Sequence, residues 1–158
     1  MDADRRPPAT ANIRPSGHKV DAAGGERLRY GSMEFVIRAS TESTGGAFSV
    51  VEEINPVDAP LHIHHRHDEL FYVLEGDHIF TVGGQQLRAG PGDAVFGPKG
   101  IPHAQRRVIP GVGRILTMFS PAGFEGFFRD LTEAGHNGWE GPEMLARIAA
   151  KYDATWVD

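Results

Sequence analysis

Histidine is concentrated in one short stretch of the chain, and its spacing there suits metal binding. Five of the eight histidines fall between His62 and His78, and four of these lie within the segment HIHHRH. In an extended strand successive side chains point to opposite faces, so His62 and His64 project to the same side while Ile63 points away. Two imidazoles side by side on one face can hold a single metal ion.

Two further residues can complete such a site. Glu69 opens the next predicted strand and offers an anionic oxygen, whose charge would help to neutralise a buried cation. His103 follows the turn-rich segment PKGIP and can arrive from a neighbouring strand as a fourth ligand. The chain contains no cysteine, which excludes disulfides, zinc–thiolate sites and thiol nucleophiles. His and carboxylate side chains are therefore the only strong metal ligands available.

The segments that must position these side chains have the pattern of short β-strands separated by tight turns. Glycine (20) and proline (11) are frequent and scattered, which is typical of many turns and not of a helical bundle. Roughly eight runs rich in β-branched and aromatic residues are predicted to be strands. They cover residues 33–39, 47–54, 61–65, 69–74, 78–82, 85–88, 93–96 and 114–119. Since no helices are predicted between them, an antiparallel sandwich or barrel is indicated.

The pattern changes at both ends of this β-rich region. The chain is accordingly divided into a flexible N-terminal arm, a single barrel and a C-terminal helical tail packed on the barrel: residues 1–17, 18–122 and 123–158. The arm is polar and proline-rich. In the tail, one helix is predicted over 124–134 with Gly135 as its stop, and a second begins at Pro142, which is tolerated in a first helical turn.

The first of two motifs around the candidate ligands resembles a motif of the cupin family. It reads His62-x-His64, four residues, Glu69, six residues and Gly76. The motif also decides between alternative ligands. A rival frame, His65-x-His67, has no acidic residue at the required distance. Asp68 would fit a shorter spacing, but only Glu69 keeps six residues before Gly76.

The second motif is also similar to that of the cupins. It reads Gly92, five residues, Pro98-x-Gly100, two residues and His103. Fifteen residues separate Gly76 from Gly92, a spacing typical of compact microbial cupins. The family motif usually ends in Asn four residues after its histidine, where this chain has Arg107. That Asn is not a ligand in the family, so the departure concerns a turn and not the metal site.

The resemblance implies the cupin fold, an all-β double-stranded β-helix or jelly-roll barrel, here with short C-terminal helices. It also implies one divalent transition metal per chain, held by His62, His64, Glu69 and His103. Iron, manganese, nickel, copper and zinc all accept such ligands, and the sequence does not choose among them. The other histidines of this region are assigned to the surface or to the surroundings of the ligands: His65, His67 and His78.

Four further segments resemble one branch of the cupins, the quercetin 2,3-dioxygenase-like branch: HHRHDELFYVLEG, AGPGD, GIPHA and SPAGFEGFFRDL. In that branch the metal binds the 3-hydroxyl group of a flavonol, and dioxygen cleaves the heterocycle. The resemblance therefore implies a metal-dependent dioxygenase acting on a flavonol or a related phenolic or enol substrate. Glu69 would then be both a ligand and the general base. The aromatic residues predicted to line the substrate pocket are Phe48, Tyr72, Phe80 and Phe119.

Two other functions stay open, because a fold does not dictate a function. One is a metal-dependent isomerase, epimerase or decarboxylase acting on a small polar molecule. The other is a non-catalytic cupin that binds a small ligand. A pocket lined by aromatic side chains would favour the dioxygenase, whereas a pocket lined by Arg, Lys and Asn would favour the isomerase class.

Composition limits the partners that are expected. The formal net charge of −5 and the absence of a basic run argue against nucleic acid as a partner. No stretch approaches the ~18 apolar residues of a membrane span, and the N-terminus lacks the apolar core of a signal peptide. A cytoplasmic protein with a small-molecule substrate is expected. A homodimer is predicted because single-barrel cupins commonly pair and because the apolar strand 33–39 would otherwise be an exposed edge.

Overall fold

The computed structural model describes residues 15–157, which form strands and helices in the order β-rich region, helical pair, final strand. The strands are β1 (Glu26–Tyr30), β2 (Met33–Ala39), β3 (Ser49–Ile54), β4 (Ala59–His64), β5 (Asp68–Glu75), β6 (His78–Val82), β7 (Gln85–Ala89), β8 (Ala94–Gly97), β9 (His103–Arg107), β10 (Arg114–Ser120) and β11 (Ala154–Trp156). The helices are α1 (Thr41–Thr44), α2 (Glu125–His136) and α3 (Pro142–Lys151). Most of the predicted arm, residues 1–14, lies outside the described residues.

The strands form two antiparallel sheets that place distant parts of the chain side by side. One sheet has the order β1-β2-β3-β10-β5-β8, and the other has the order β11-β4-β9-β6-β7. Strand β10 lies between β3 and β5, and β9 lies between β4 and β6. The predicted all-β jelly roll with short C-terminal helices is confirmed, although the two sheets do not join into a closed barrel within the described residues.

Three strands were not predicted from the sequence. Strands β2 and β6 have the predicted bounds, but β1, β9 and β11 were missed. Their sequences are ERLRY, HAQRR and ATW, which are too charged or too short to show the usual strand pattern. They are extended because of their neighbours: β9, for example, pairs with β4 on one side and β6 on the other. Tertiary pairing has overridden weak local preference here.

The two C-terminal helices are present, but the predicted end of the first is wrong. Helix α2 passes through Gly135 and ends at His136. Gly135 serves packing instead, since a Cβ atom at this position would lie 2.9 Å from Cδ2 of Tyr30. Helix α3 begins at Pro142, as predicted. None of the described helices has both the length and the apolar character needed to cross a membrane.

The largest apolar cluster joins the six-stranded sheet to the two helices. The ring of Phe128 on α2 lies 4.7 Å from that of Phe35 and 6.2 Å from that of Phe119, measured between centroids. Ile148 and Ala149 of α3 are also buried in this cluster. Burial of apolar surface contributes about 25 cal/mol per Å². The C-terminal segment is therefore part of the core, and β11 extends the five-stranded sheet as one of its edges.

One of the two arguments for a homodimer, an exposed apolar edge strand, does not hold in this fold. Strand β2 pairs with both β1 and β3, so residues 33–39 do not form an exposed edge. The dimer stays a prediction on the family resemblance alone. Light scattering at micromolar concentration is expected to give twice the chain mass of 17.2 kDa. A particle with the mass of one chain would contradict it.

Candidate metal centre

Four side chains from three strands converge between the two sheets. His62 and His64 project from the same face of β4, and His103 opens β9 directly opposite His62 in the antiparallel register. Glu69 lies on β5, which belongs to the other sheet. The predicted ligands are thus brought together, with three imidazoles from the five-stranded sheet and one carboxylate from the six-stranded sheet.

The distances within this cluster are short enough for a single ion. The ligand atoms of the four residues all lie within 4.8 Å of one another. Oε2 of Glu69 is 2.7 Å from Nε2 of His103 and 3.0 Å from Nε2 of His64. The ring centroids of His62 and His103 are 4.4 Å apart. A buried cluster of this composition is able to bind a metal ion.

Backbone carbonyls orient two of the imidazole rings. Nδ1 of His62 lies 2.7 Å from the carbonyl oxygen of Pro60, and Nδ1 of His103 lies 3.2 Å from that of Ile101. A carbonyl oxygen can only accept, so each Nδ1 carries the hydrogen and donates it. Nε2 is thereby left as the coordinating atom of both rings. Metal-binding histidines are generally oriented in this way.

His64 provides the test of whether a cation fits this site. Both of its ring nitrogens are buried, and neither has a hydrogen-bond partner among the described residues. Its Nε2 approaches Glu69 without forming a hydrogen bond of acceptable geometry. A buried polar atom left unpaired costs about 1–3 kcal/mol. A metal ion between the imidazole and the carboxylate would satisfy this nitrogen, so the residues present fit the ion that the motifs imply.

The charge states of the cluster suit a cation. Burial is the largest influence on the pKa of His62 and lowers it to about 4, so this ring is neutral at pH 7. Burial would raise the pKa of Glu69, but His64 and His103 outweigh it and hold that pKa well below its usual range. Burial also acts to lower the pKa of His103, yet the hydrogen bond to Glu69 raises it overall. Metal binding would displace the proton that His103 shares with Glu69.

The segment SPAGFEGFFRDL supports the ligand His64. Phe124 lies edge-on to the His64 ring with 4.3 Å between centroids. The turn that carries Phe124 is held by the buried carboxylate of Glu125, which accepts hydrogen bonds from the backbone N–H of Thr41 at 2.6 Å and of Gly123 at 2.7 Å. This segment resembles the family, and in the structure it packs against the imidazole ring of His64.

Strand β11 supports both candidate ligands of β4. Trp156 is paired with His62 and Ala154 with His64 in the antiparallel register. The indole ring of Trp156 lies edge-on to the His62 ring with 5.3 Å between centroids. Sequence analysis missed this contact because the three-residue strand carries no recognisable pattern.

The remaining histidines of the region differ in their surroundings. His65 is exposed, which agrees with the surface, one of its two predicted locations. His67 and His78 are buried, with 3% and 0% of their surface exposed, so the surface alternative does not hold for them. The ring of His67 lies 6.3 Å from that of His64, in the predicted surroundings of the ligands. Nε2 of His78 donates to the carbonyl oxygen of Glu75 at 3.0 Å, and its Nδ1 accepts from the amide of Gln105 at 2.8 Å.

A cavity of about 160 Å³ lies beside the four ligands. Its walls come from both sheets, from the two C-terminal helices and from β11. They are mainly aromatic and aliphatic and include Phe35, Phe71, Phe119, Phe124, Phe127 and Trp156. Glu53 and Gln105 are among the few polar side chains on the walls. No Arg, Lys or Asn occurs among the lining residues in the described part of the chain.

Of the four residues predicted to line the substrate pocket, the structure places one there. Phe119 lines the cavity and is almost fully buried. Phe48 and Tyr72 are exposed on the outside of the molecule, at 39% and 42% of their surface. Phe80 is fully buried in the second core cluster and is not among the residues that line the cavity. Strand alternation explains Tyr72, because it neighbours the inward-facing Phe71 and so points outward.

Two polar cavity residues were missed although the sequence carries a signal for them. Glu53 shares a face of β3 with Ser49 and Val51, which are both buried. Gln105 shares a face of β9 with the ligand His103. The same two-residue alternation that pairs His62 with His64 therefore predicts an inward position for each, once the strand is recognised.

Comparison with known proteins agrees with this architecture. Residues 50–118, which carry all four ligands, match the model of the family described as the cupin domain. These residues form a cupin domain. Quercetin 2,3-dioxygenase of Bacillus subtilis (strain 168) is 32% identical over 114 residues, or 71% of this chain and 34% of that protein. This similarity assigns the cupin to the quercetin 2,3-dioxygenase-like branch, and the chain spans about a third of the length of that relative.

Solved structures support the same fold. KdgF from a Halomonas species superposes with a TM-score of 0.61 at 22% identity, over 70% of this chain and 99% of that chain. An RmlC-like cupin from Shewanella frigidimarina NCIMB 400 gives a TM-score of 0.60 at 22% identity, over 72% and 99%. Pac13, described as a nucleoside dehydratase, gives 0.54 at 16% identity, over 70% and 88%. At these identities the three structures establish the fold of this cupin alone.

The first prediction for the site concerns metal content. The purified protein is expected to carry close to one transition-metal ion per chain, because the ligand set is complete and His64 is otherwise unsatisfied. His62→Ala or His103→Ala should lower that occupancy sharply. His65→Ala is the matched control, since this histidine is exposed and outside the cluster.

Elemental analysis of each variant measures the occupancy. If wild-type protein carries no metal, even after reconstitution with iron, manganese and nickel, the prediction of a metal centre is wrong. A His65→Ala variant that loses metal as fully as His62→Ala would show that the ligand assignment is wrong.

Proposed function

We propose that this cupin is a metal-dependent dioxygenase of the quercetin 2,3-dioxygenase type, acting on a flavonol or a related phenolic or enol substrate with dioxygen. The observation that carries the proposal is the position of the three-histidine, one-carboxylate cluster at an apolar, aromatic-walled cavity. Its similarity to quercetin 2,3-dioxygenase of Bacillus subtilis supports the reaction class. The aromatic and aliphatic walls suit a flat, largely apolar molecule, one oxygen of which would reach the ligands.

The cavity favours this reaction over the isomerase class. A small polar substrate, such as a sugar derivative, would require several charged or amide side chains to replace its hydration. Arg, Lys and Asn are absent from the described cavity walls, where aromatic rings predominate. A non-catalytic role in binding a small ligand is the alternative that the oxygen-uptake experiment below addresses.

The residues of the chain would divide the work as follows. A divalent transition metal held by His62, His64, Glu69 and His103 would supply Lewis acidity to a substrate hydroxyl and the redox chemistry that dioxygen requires. Glu69 stays ionised, as a metal ligand requires. A lowered pKa also makes it a weak base, so proton transfer to it would depend on a metal that acidifies the substrate hydroxyl. We infer that its carboxylate takes the hydroxyl proton of the substrate. The Phe119 and Phe124 rings exclude water from the reacting groups.

Oxygen uptake by the metal-reconstituted protein tests the reaction class. The substrate panel consists of flavonols and related phenols and enols. With at least one of these compounds, oxygen consumption is expected in the presence of metal-loaded wild-type protein and not in its absence. His62→Ala, carried through the same reconstitution, is the control that retains the cavity but lacks a ligand. If no compound of the panel supports oxygen consumption, the dioxygenase proposal fails and the isomerase and binding roles move ahead.

Replacement of the carboxylate tests the role of Glu69 in proton transfer. Glu69→Gln keeps the size and one oxygen but removes the charge and the basicity, while three imidazoles can still retain the ion. Because general acid–base catalysis typically contributes about 10²–10⁴-fold, turnover should fall within that range. Steady-state oxygen consumption and metal content are measured together.

Substrate affinity is the internal control, and it should change much less than turnover. A Glu69→Gln variant that binds metal and turns over at the wild-type rate would show that Glu69 is not the base.

A further inference from the structure

A second carboxyl group, that of Glu53 on β3, faces the same cavity as the metal ligands. Strand alternation places it on the inner face with Ser49 and Val51. Glu53 is half-buried and is one of the lining residues of the cavity. Glu53 is not one of the four clustered ligands, so its presence in an apolar wall calls for a reason.

The side chain of Glu53 is turned toward the metal ligands. Its Oε1 accepts a hydrogen bond of 3.1 Å from the hydroxyl group of Thr117. In the register of β3 and β10, Glu53 is paired with Ile115, while Thr117 lies two residues farther along, toward Phe119. Phe119 in turn is paired with Glu69. The carboxyl of Glu53 therefore leans along the sheet in the direction of the metal centre.

Oε2 of Glu53 has no ion pair or hydrogen bond within the described residues. The single hydroxyl hydrogen of Thr117 is directed to Oε1, so the second oxygen is free to meet a molecule in the cavity. The titratable groups that share the cavity come from β1, β4, β5, β9 and the turn before β4: Tyr30, His62, His64, Glu69, His103 and Asp58. None of them is a cation that would pair with an ionised Glu53 once the imidazoles hold a metal.

The environment of Glu53 favours its neutral form. Burial is the larger cause and, together with the charge of Glu69, raises the pKa of Glu53 to about 8, which the hydrogen bond from Thr117 only partly offsets. A bound metal ion would offset the charge of Glu69 but would leave the burial of Glu53 unchanged. A protonated carboxyl group is a hydrogen-bond donor.

We propose that Glu53 is a substrate-binding residue of this site, whose carboxyl group donates a hydrogen bond through Oε2 to a second oxygen of the substrate while the first oxygen is held at the metal. This inference rests on the proposed function and narrows its substrate class. The substrate is a flat molecule with two neighbouring oxygens, such as the enol and the carbonyl group of a flavonol. Two carboxyl groups with opposite charge states then serve one substrate, with Glu69 accepting and Glu53 donating.

Two substitutions at this position separate donation from packing. Glu53→Gln keeps the shape, the acceptor for Thr117 and a donor, whereas Glu53→Leu keeps the volume alone. Anaerobic titration of metal-reconstituted protein with quercetin, followed by absorbance, measures binding without turnover. Glu53→Gln should bind within about twofold of wild type. Glu53→Leu should bind roughly tenfold more weakly, since one hydrogen bond to a buried group contributes on that order.

Glu133→Gln, on the exposed face of α2, is the matched control and should bind like wild type. Equal binding by Glu53→Leu and wild type would overturn the proposal. So would a Glu53→Gln variant as weak as Glu53→Leu, because binding would then depend on an ionised carboxylate.

Unfolding measured as a function of pH decides the donor role without any substrate. A carboxyl group whose pKa is raised in the folded state stabilises the protein at low pH. This contribution to the free energy of unfolding is lost as the pH rises from the pKa of the unfolded state, about 4.5, to that of the folded state, about 8. The melting temperature of wild type should therefore fall relative to Glu53→Gln as the pH rises from 5 to 8, in metal-loaded as in metal-free protein. Parallel curves would show that Glu53 is ionised at neutral pH and would overturn the proposal.

Failure of the two proposals can be told apart. If wild type neither binds quercetin nor consumes oxygen with any member of the panel, the dioxygenase proposal fails for flavonols. The pH dependence of unfolding then still decides whether Glu53 is a donor in the cavity.

Discussion

Burial of the Glu69 carboxylate against imidazoles of the facing sheet is the interaction on which the rest of this structure depends. Packed sheets lie about 10 Å apart, so side chains from opposite sheets meet near the middle of the core. Glu69 reaches that point from β5, and the three histidines reach it from β4 and β9. An isolated carboxylate would not be tolerated there. The imidazoles stabilise it, and a cation bound to the unsatisfied His64 would stabilise it further.

The C-terminal segment covers this region with apolar side chains. Helices α2 and α3 cover the six-stranded sheet with apolar side chains, and β11 adds Trp156 beside His62. Phe124, held in place by the Glu125 carboxylate, closes the other side against His64. Exclusion of water strengthens every electrostatic interaction at the ligands. The helices therefore matter for the chemistry of the site although they contribute none of its ligands.

Two glutamates in one cavity take opposite charge states because of their neighbours. Glu69 faces His64 and His103, which keep its pKa below the usual range in spite of burial. Glu53 faces apolar walls and the hydroxyl group of Thr117, so burial dominates and its pKa rises to about 8. The same residue type thus presents an acceptor at one position and a donor at another. The difference arises from which strand each residue occupies, and no feature of either side chain alone would produce it.

Short-range regularities in the chain were sufficient to predict the fold class and the four residues that the structure brings together. The alternation of His62 and His64, the acid at Glu69 and the distant His103 follow from spacing along single strands and from two motifs that match a family. The frequent turns indicated an all-β protein, and the family resemblance specified the jelly roll. These features depend on residues that are close together in sequence, so they can be recognised without knowing how the chain folds back on itself.

The tertiary structure alone decided which residues meet across the molecule. Pairing of β9 between β4 and β6 made a strand of HAQRR, and pairing of β11 with β4 brought Trp156 to the metal centre. The cavity walls depend on the same long-range pairing. It placed Tyr72 outside and left Phe119 as the one residue of the predicted four that lines the cavity. Hydrophobicity predicts that a side chain is buried, but the register of distant strands determines which buried groups share a cavity, and no local pattern encodes that register.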